Sequence, residues 1–517
     1  MLNHRGSISN QQQFWRFSTK GIAVRLFITC WLIYGLHFAT NIVREIYPAL
    51  ALGDAFSFRL DEYANLHPDI FEKPGYGWHI NNNPGVSFFA AIPYAISRPL
   101  IDRVVAWVNQ SRAANGQTEP PAYDSPWPLA RQFFAEAWRK GYDIKFALAA
   151  FVMQFFFMAP LTALSAVALF DVLRRLFHSN KTGLGLALLY AFGTPVFFRT
   201  GTLNQNLSLG ILAFFSFLLL WNYSDSSRFE DKTRYFLAGV SAGTAVLFDY
   251  SGLIFLIGLF IYGALRARRN MLPGIDSRLK AITLVGWFLL GGLGPVCLLW
   301  FYQWKSFGSP FLPAQHWMND TNYSGFGYQG IGLPQLDLIF LLMGDLRYGL
   351  LSTSPILLLA FFAPFINRGK KQIIPTLETV FILALFVGLW LFLAANNYSR
   401  LQFNSGVRYL TAIIPFLFLL VSITLMRLPT LLRGLVAVVS IYQSWSLAMY
   451  RDVENHLGVL GSLLRLTLGG FNLPVLETIS RFQGQTNGLV PGAFSPIAVF
   501  VFVAALLVII WLPPVEP

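Results

Sequence analysis

The residues of this chain that could do chemistry crowd into residues 44–99, directly after its first long apolar run. Arg44-Glu45 comes first, then Gly53-Asp54, then Asp61-Glu62-Tyr63, and finally His79 with Asn81-Asn82-Asn83-Pro84-Gly85. Carboxylates can take up a proton, while imidazole and carboxamide groups can hydrogen-bond a polar substrate. A chain that otherwise avoids polar groups has little reason to keep so many beside its first apolar run unless they handle such a substrate. The stretch therefore reads as the active site. Plainer readings stand beside this one. Asp54 is a favoured residue type for the N-cap of a following helix, Glu62 could pair with Arg59 through a spacing of three, and Asn before Pro-Gly is ordinary turn chemistry.

The elements that must hold these groups follow from composition. Of 517 residues, 55% are hydrophobic, 16% aromatic and only 12% charged, and the mean hydropathy is +0.52. Soluble domains are usually about 25% charged, and many apolar runs here approach the roughly 20 residues needed to cross a bilayer. The fold class expected is all-α, a polytopic membrane helical bundle. The net charge of +13 is spread through short loops between apolar runs, which suits cytoplasmic loops and anionic head groups and not nucleic acid. Cys30 and Cys297 both lie in apolar runs, so neither a disulfide framework nor zinc spacing is present.

In chain order, residues 1–21 read as a cytoplasmic segment with Arg5, Arg16 and Lys20, and 22–43 as an uncleaved first span. Residues 44–145 form a large outer loop. Within it, the apolar residues 86–96 are too few to cross a core of about 30 Å and are expected as an interfacial helix. Residues 101–140, rich in Pro and Trp, are expected to cap the outer face. Spans follow at 146–170, 183–198 and 203–223. Residues 235–265 read as a hairpin with Asp249 at its outer tip, because one straight helix would place that charge at the bilayer centre at a cost of roughly 2.5–3.5 kcal/mol. Spans at 281–302, 350–366, 373–394, 409–426 and 434–450 complete a transmembrane domain of residues 22–450. An outer loop, 451–493, and a last span with a short tail, 494–517, close the chain. This makes about twelve spans with both termini inside, and the short loops on one side are dense in Lys and Arg as the positive-inside bias expects.

Several stretches resemble the C-type membrane glycosyltransferases, the group that includes protein O-mannosyltransferases and aminoarabinose transferases. Gly53-Asp54 looks like the Gly-Asp at the head of that family's first outer loop, and Asn83-Pro84-Gly85-Val86-Ser87 like the turn and interfacial helix after it. Ala191-Phe192-Gly193-Thr194-Pro195, Leu237-Ala238-Gly239, Phe307-Gly308-Ser309-Pro310, and Gly349-Leu350-Leu351 running to Ser354-Pro355 resemble recurring segments of bacterial members. Gly406-Val407-Arg408-Tyr409-Leu410 is similar to the family's Gly-Pro-Arg-Tyr-Leu, with Val407 in place of proline. A second acidic residue often follows the family's Gly-Asp, and here Ala55 stands instead.

The resemblance implies transfer of a sugar from a polyprenyl-phosphate donor to a hydroxyl of an envelope glycan, lipid or protein acceptor, on the outer side of a bacterial inner membrane. A lipid phosphate is already a good leaving group, so it needs cationic stabilisation more than proton donation, while the acceptor needs one general base. The family position makes Asp54 the first expected base, with Asp61 and Glu62 behind it; Glu62 would share a face with Asp54 if a helix joined them. Arg408, at the mouth of a span, is expected on the phosphate, where its planar fork binds two oxygens. Arg347 and Arg400 stand behind it, and a lone interfacial Arg also commonly snorkels to head groups. His79 and the run Asn81, Asn82 and Asn83 are expected on sugar hydroxyls. No spacing signals a tight metal site, while a divalent cation such as Mg or Mn, carried by Asp54 and the phosphate as in some relatives, is compatible with the scheme.

Two other functions fit the same class of chain. A transporter or flippase of a lipid-linked solute would place its site near the midplane on interrupted helices of repeated halves. No halves repeat visibly here, and polar density sits in the outer loops, which favours the enzyme. A binding or assembly subunit that keeps the fold without catalysis is the third reading, and Ala55 supports it.

Overall fold

The first apolar run forms helix α1 (Thr19–Leu36), opened by Ser18, whose hydroxyl accepts the Gly21 N–H at 3.1 Å. The computed structural model describes residues 17–512, apart from 126, 224–228, 270–274, 369–371, 403–405, 452, 454–456 and 483–494. Most of the expected cytoplasmic segment, the basic pair Lys370-Lys371 and the first residue of the expected last span thus lie outside the described residues.

The chain leaves α1 at His37, earlier than the expected span end, and runs irregularly to α2 (Ile46–Ala55). Helix α2 stops where Phe56 turns left-handed, φ 53°. Beyond a 3-10 turn at Asp61–Tyr63, a hairpin pairs β1 (Ile70–Lys73) with β2 (Gly77–Ile80), Ile70 opposite Ile80. Residues 86–96 are not a separate short helix. They open α3 (Gly85–Ala114), 30 residues or about 45 Å long, which continues into the residues expected to be a cap. The end of the apolar run did not end the helix because a surface helix needs only an apolar stripe; Val86, Ala90, Tyr94 and Ile101 are buried while Arg98, Asp102 and Arg103 are not.

After α4 (Pro128–Arg139), α5 (Asp143–Leu176) is continuous apart from a π-helical turn at Gln154–Met158. Arg112 grips Asp143 bidentately, at 2.9 and 2.7 Å, and ties the far end of α3 to the start of α5. Then follow α6 (Asn180–Gly193), α7 (Pro195–Arg199) and α8 (Gln205–Trp221). The hairpin expected around Asp249 is present as α9 (Asp231–Phe248) and α10 (Gly252–Arg269). Its Asp249 carboxylate accepts from Ser251 and from Gln205 Nε2. After α11 (Ile275–Phe307), α12 (Leu336–Gly344) packs along the later span α15, and the expected span 350–366 is broken into α13 (Leu350–Thr353), a 3-10 stretch (Pro355–Phe362) and α14 (Ala363–Ile366). The remaining helices are α15 (Thr376–Ala395), α16 (Ile414–Arg427), α17 (Thr430–Met449), α18 (Val459–Gly469), α19 (Pro474–Phe482) and α20 (Ile497–Trp511). Residues 451–493 are therefore not a plain loop, since they hold α18 and α19, bent 82° to each other.

The protein is a multi-pass helical membrane bundle. Among the described residues six helices are long and apolar enough to cross a membrane, and Gln205–Trp221, Pro355–Ile366 and Ile497–Trp511 are apolar but shorter. Helix α16 runs through the centre, with every residue from Ile414 to Leu425 buried. At the rim, α20 buries none of its side chains and is held to α1 by Trp511 Nε1 on Thr29 Oγ1, 2.9 Å, and by Arg25 Nε on the Ile510 carbonyl, 2.8 Å.

The polar segments meet at one end of the bundle. The other end carries Arg174, Arg175 and Tyr223 on Asp171, and a fully buried Glu378 that accepts the Tyr262 hydroxyl and faces Arg266 at 3.4 Å. Helices α9 and α11 pack side by side at Gly239, where a Cβ would lie 1.9 Å from the Phe288 carbonyl oxygen. Small residues let membrane helices approach this closely. Gly239→Val should therefore force the pair apart and cost about 1–3 kcal/mol, measurable as a lower thermal unfolding midpoint in detergent; an unchanged midpoint would contradict the packing.

Candidate active site

Helix α2 has polar groups at both ends, and they do different things. At its start, Arg44 Nη1 donates to Asn81 Oδ1 at 3.1 Å and sits 3.4 Å from Asp69 Oδ2, while Nε lies 3.7 Å from Glu45 Oε1. These distances are long for charge-assisted bonds, and Arg44 Nε has no hydrogen-bond acceptor. The hairpin explains how Asp69 and Asn81 meet on one guanidinium: Ile70 pairs with Ile80, so the residues flanking that pair lie side by side. Gln315 Nε2 donates to the Asn81 carbonyl at 2.9 Å and brings the segment after α11 onto the same cluster.

Of the two carboxylates here, Glu45 is 4% exposed and Asp69 31%, so Asp69 is the one a bound substrate can reach. Burial pushes the Glu45 carboxyl up from its ordinary range, against the pull of Arg44 and Arg408. His67 accepts the Asp69 N–H on Nδ1 at 3.0 Å, and burial lowers its pKa to about 4, with Asp69 opposing and Arg44 and Arg408 reinforcing the shift. The imidazole is therefore neutral at physiological pH.

Arg408 faces the same cluster closely enough for its charge to bear on both Glu45 and His67. Its backbone N–H donates to Gln402 Oε1 at 2.9 Å and its Nη1 to the Leu401 carbonyl at 3.1 Å. Among the described residues it has no carboxylate partner, so most of its fork is open to an anion. The backbone before it is held by Arg199, which donates Nε to the Val407 carbonyl at 2.7 Å and Nη2 to the Gly406 carbonyl.

At the other end of α2, Asp54 is fully engaged. Oδ1 accepts from Tyr94 at 2.7 Å and faces Arg98 Nε at 3.2 Å; Oδ2 accepts from Lys145 at 2.7 Å and Tyr63 at 3.3 Å. A carboxylate has about four acceptor sites; here three donors hydrogen-bond it and the Arg98 guanidinium adds an ion pair. Gly53 makes this clamp, since a Cβ there would lie 2.4 Å from the Tyr94 ring. Asp54 ends α2 and does not cap the start of a helix, so the N-cap reading fails too. With its oxygens taken by two cations and two tyrosines, it also offers no open ligand to a divalent cation.

The other expected residues scatter. Asp61 binds Arg59 at 2.8 and 3.2 Å and accepts the Trp78 N–H, which holds the hairpin. Glu62 is exposed and shares no helix with Asp54, because Phe56 ends α2 first; Arg59 pairs with Asp61 instead of Glu62. His79 is buried, with Nδ1 3.1 Å from the Phe58 carbonyl and Nε2 3.2 Å from the Tyr76 carbonyl, so both ring nitrogens brace the loop. Asn83 Nδ2 donates to the Val246 carbonyl at 2.9 Å, and Asn82 Nδ2 to the Asn83 carbonyl at 3.3 Å. Arg347 is turned to Asp345, and Arg400 to Asp337, Gln335 and Asn397. Of the expected set, Arg408 and Asn81 join the cluster. The sequence reading passes over Asp69 and His67 and gives no separate role to Arg44 or Glu45. The signal was the Pro74-Gly75 turn between two short runs, which predicts a hairpin and so the meeting of residues 69 and 81. Among the described residues no group of three His, Cys, Asp or Glu forms a metal-holding set.

Residues 146–287 match a family model described as dolichyl-phosphate-mannose-protein mannosyltransferase. No curated protein matches the chain. Among solved structures, the chain is similar to ArnT from Cupriavidus metallidurans bound to undecaprenyl phosphate, at 12% identity and a TM-score of 0.48, covering 94% of this chain and 76% of that one. The apo state of the same protein gives 11% identity and a TM-score of 0.47, covering 95% and 76%.

The His67 shift sets a pH response. Between its ordinary 6.5 and about 4 the folded histidine binds fewer protons than the unfolded one, so its contribution is complete above about pH 6.5 and is lost as pH falls toward 4. His67→Gln should flatten the decline of the thermal midpoint across that window; a slope identical to the parent chain would show that His67 is not the group responsible.

Proposed function

We propose that this chain, whose residues 146–287 match a dolichyl-phosphate-mannose-protein mannosyltransferase family model, moves a sugar from a polyprenyl-phosphate donor to an acceptor hydroxyl at the loop end of the bundle, on the outer side of the membrane. The observation that carries this reading is the cluster at the start of α2, where one part-exposed carboxylate, Asp69, lies against Arg44, and where the charge of Arg408, which has no carboxylate partner among the described residues, bears on Glu45 and His67.

In this scheme Asp69 accepts the proton of the acceptor hydroxyl as the hydroxyl oxygen attacks the anomeric carbon. The bond from that carbon to the phosphate oxygen breaks, and its electron pair leaves with the polyprenyl phosphate. Arg408 and Arg44 bind the phosphate oxygens as charge accumulates there, which is where preorganised donors contribute most. His67 and Asn81 orient Asp69 and Arg44. The family position first expected to supply the base, Asp54, becomes a clamp that joins α2, α3 and α5.

A paired substitution separates the two carboxylates. Asp69→Asn should reduce turnover by roughly 10²–10⁴-fold, the usual worth of a general base, with little change in the thermal midpoint. Asp54→Asn leaves Lys145 and Arg98 facing a neutral group and should chiefly lower stability. The reverse pattern, a stable but inactive Asp54→Asn beside an active Asp69→Asn, would return the base to Asp54. Arg408→Ala should weaken donor binding far more than acceptor binding, as read by separate titrations; equal losses would remove Arg408 from the phosphate.

A further inference from the structure

At the end of α2 away from Asp69, a hollow of about 580 Å³ opens between the first polar segment and the loop end of α11. Leu52, Phe58, Phe88 and Phe301 line it together with Arg59 and Lys305; Ser57, Tyr76 and His79 add polar groups, and no acidic side chain is in the lining. Phe58 joins the walls, its ring centroid 5.9 Å from Phe88 and 6.4 Å from Phe301.

The arrangement is ordered in depth. Phe301 and Lys305 are four residues apart on one face of α11, and the helix runs from the basic end of the bundle toward the loop end. Lys305 therefore lies about 6 Å farther out than Phe301, cation above and aromatic below, with Trp300 and Trp304 exposed on the same turns. Aromatic side chains at this height mark the boundary between head groups and hydrocarbon. Among the described residues Lys305 has no carboxylate partner, and its ammonium lies 4.7 Å from the Trp304 ring centroid. Arg59, by contrast, is fixed on the hairpin by Asp61. Phe56, beside the hollow, is left-handed and 94% exposed, an apolar ring that water would disfavour and a lipid would cover.

We infer that this hollow is a binding site for an anionic membrane lipid, its phosphate head group on Lys305 and Arg59 and its chain along Phe301, Phe88 and Leu52. It stands apart from the Arg408 cluster and goes beyond the transfer reading. Its occupant holds the end of α2 and the hairpin onto the bilayer while the opposite end carries the reactive carboxylate.

The test uses the full chain in phosphatidylcholine nanodiscs with graded phosphatidylglycerol, counting retained lipids by native mass spectrometry. Lys305 is exposed, so Lys305→Gln leaves the fold intact. It should raise the half-saturating phosphatidylglycerol fraction about five-fold, the equivalent of the roughly 1 kcal/mol a basic residue contributes at an anionic surface. Phe301→Ala should also weaken retention, and millimolar inorganic phosphate should not compete in the parent chain. Equal phosphatidylglycerol retention by Lys305→Gln and the parent, or displacement of the lipid by inorganic phosphate, would overturn the assignment. No sugar donor enters the measurement, so a negative result leaves the Asp69 and Arg408 scheme untouched, and loss of transfer in Arg408→Ala says nothing against the lipid site.

Discussion

Arg44 lies against Glu45, Asp69 and Asn81, and that contact decides where the first polar segment can go. Charges held away from water have to be paired and hydrogen-bonded. The pairing here is incomplete, with long contacts and an Nε that has no acceptor. A structural ion pair gains from closing such gaps. A site that must also receive a phosphate and a hydroxyl gains from leaving donors and one carboxylate edge unsaturated, and Asp69 with the open fork of Arg408 supplies both.

The two ends of α2 divide the labour. Asp54, held by three donors and an ion pair to Arg98, makes one body of the first polar segment, α3 and the start of α5. That rigidity is what positions Arg44 and Glu45, the two residues that lead into α2, because α2 is short and its end cannot move without breaking the clamp. Arg199 does a comparable service for Arg408: its grip on the Gly406 and Val407 carbonyls fixes a backbone that lacks the proline its motif would otherwise contain.

Much of the bundle could be read from the sequence, and for a physical reason. A buried charge such as Asp249 is too costly at mid-membrane, so the chain must turn there, and it does. Apolar run lengths likewise placed α5, α11, α15 and α17 to within a few residues. What run length could not supply was the extent of amphipathic helices: α3 runs on for 30 residues and α18 with α19 fill an expected loop, because a one-sided apolar stripe is enough to bury them. The polar segment of the candidate site was legible as a region, but the contacts inside it were not. Asp54 drew attention by its place in a motif, whereas its partners Tyr94, Arg98 and Lys145 lie 40 or more residues away and come from other helices. Asp69 owes its place beside Arg44 to hairpin register, which a family landmark does not encode.

The proposal places the donor phosphate and the reactive carboxylate together at the start of α2. A photoactivatable polyprenyl-phosphate-sugar analogue, bound to the full chain and mapped by peptide mass spectrometry, reads out that meeting point. Crosslinks confined to peptides carrying residues 37–47, 66–83 and 396–409 are expected. Labelling of the basic end around Asp171 and Glu378, or labelling near Asp54 that spares Asp69 and Arg408, would contradict it.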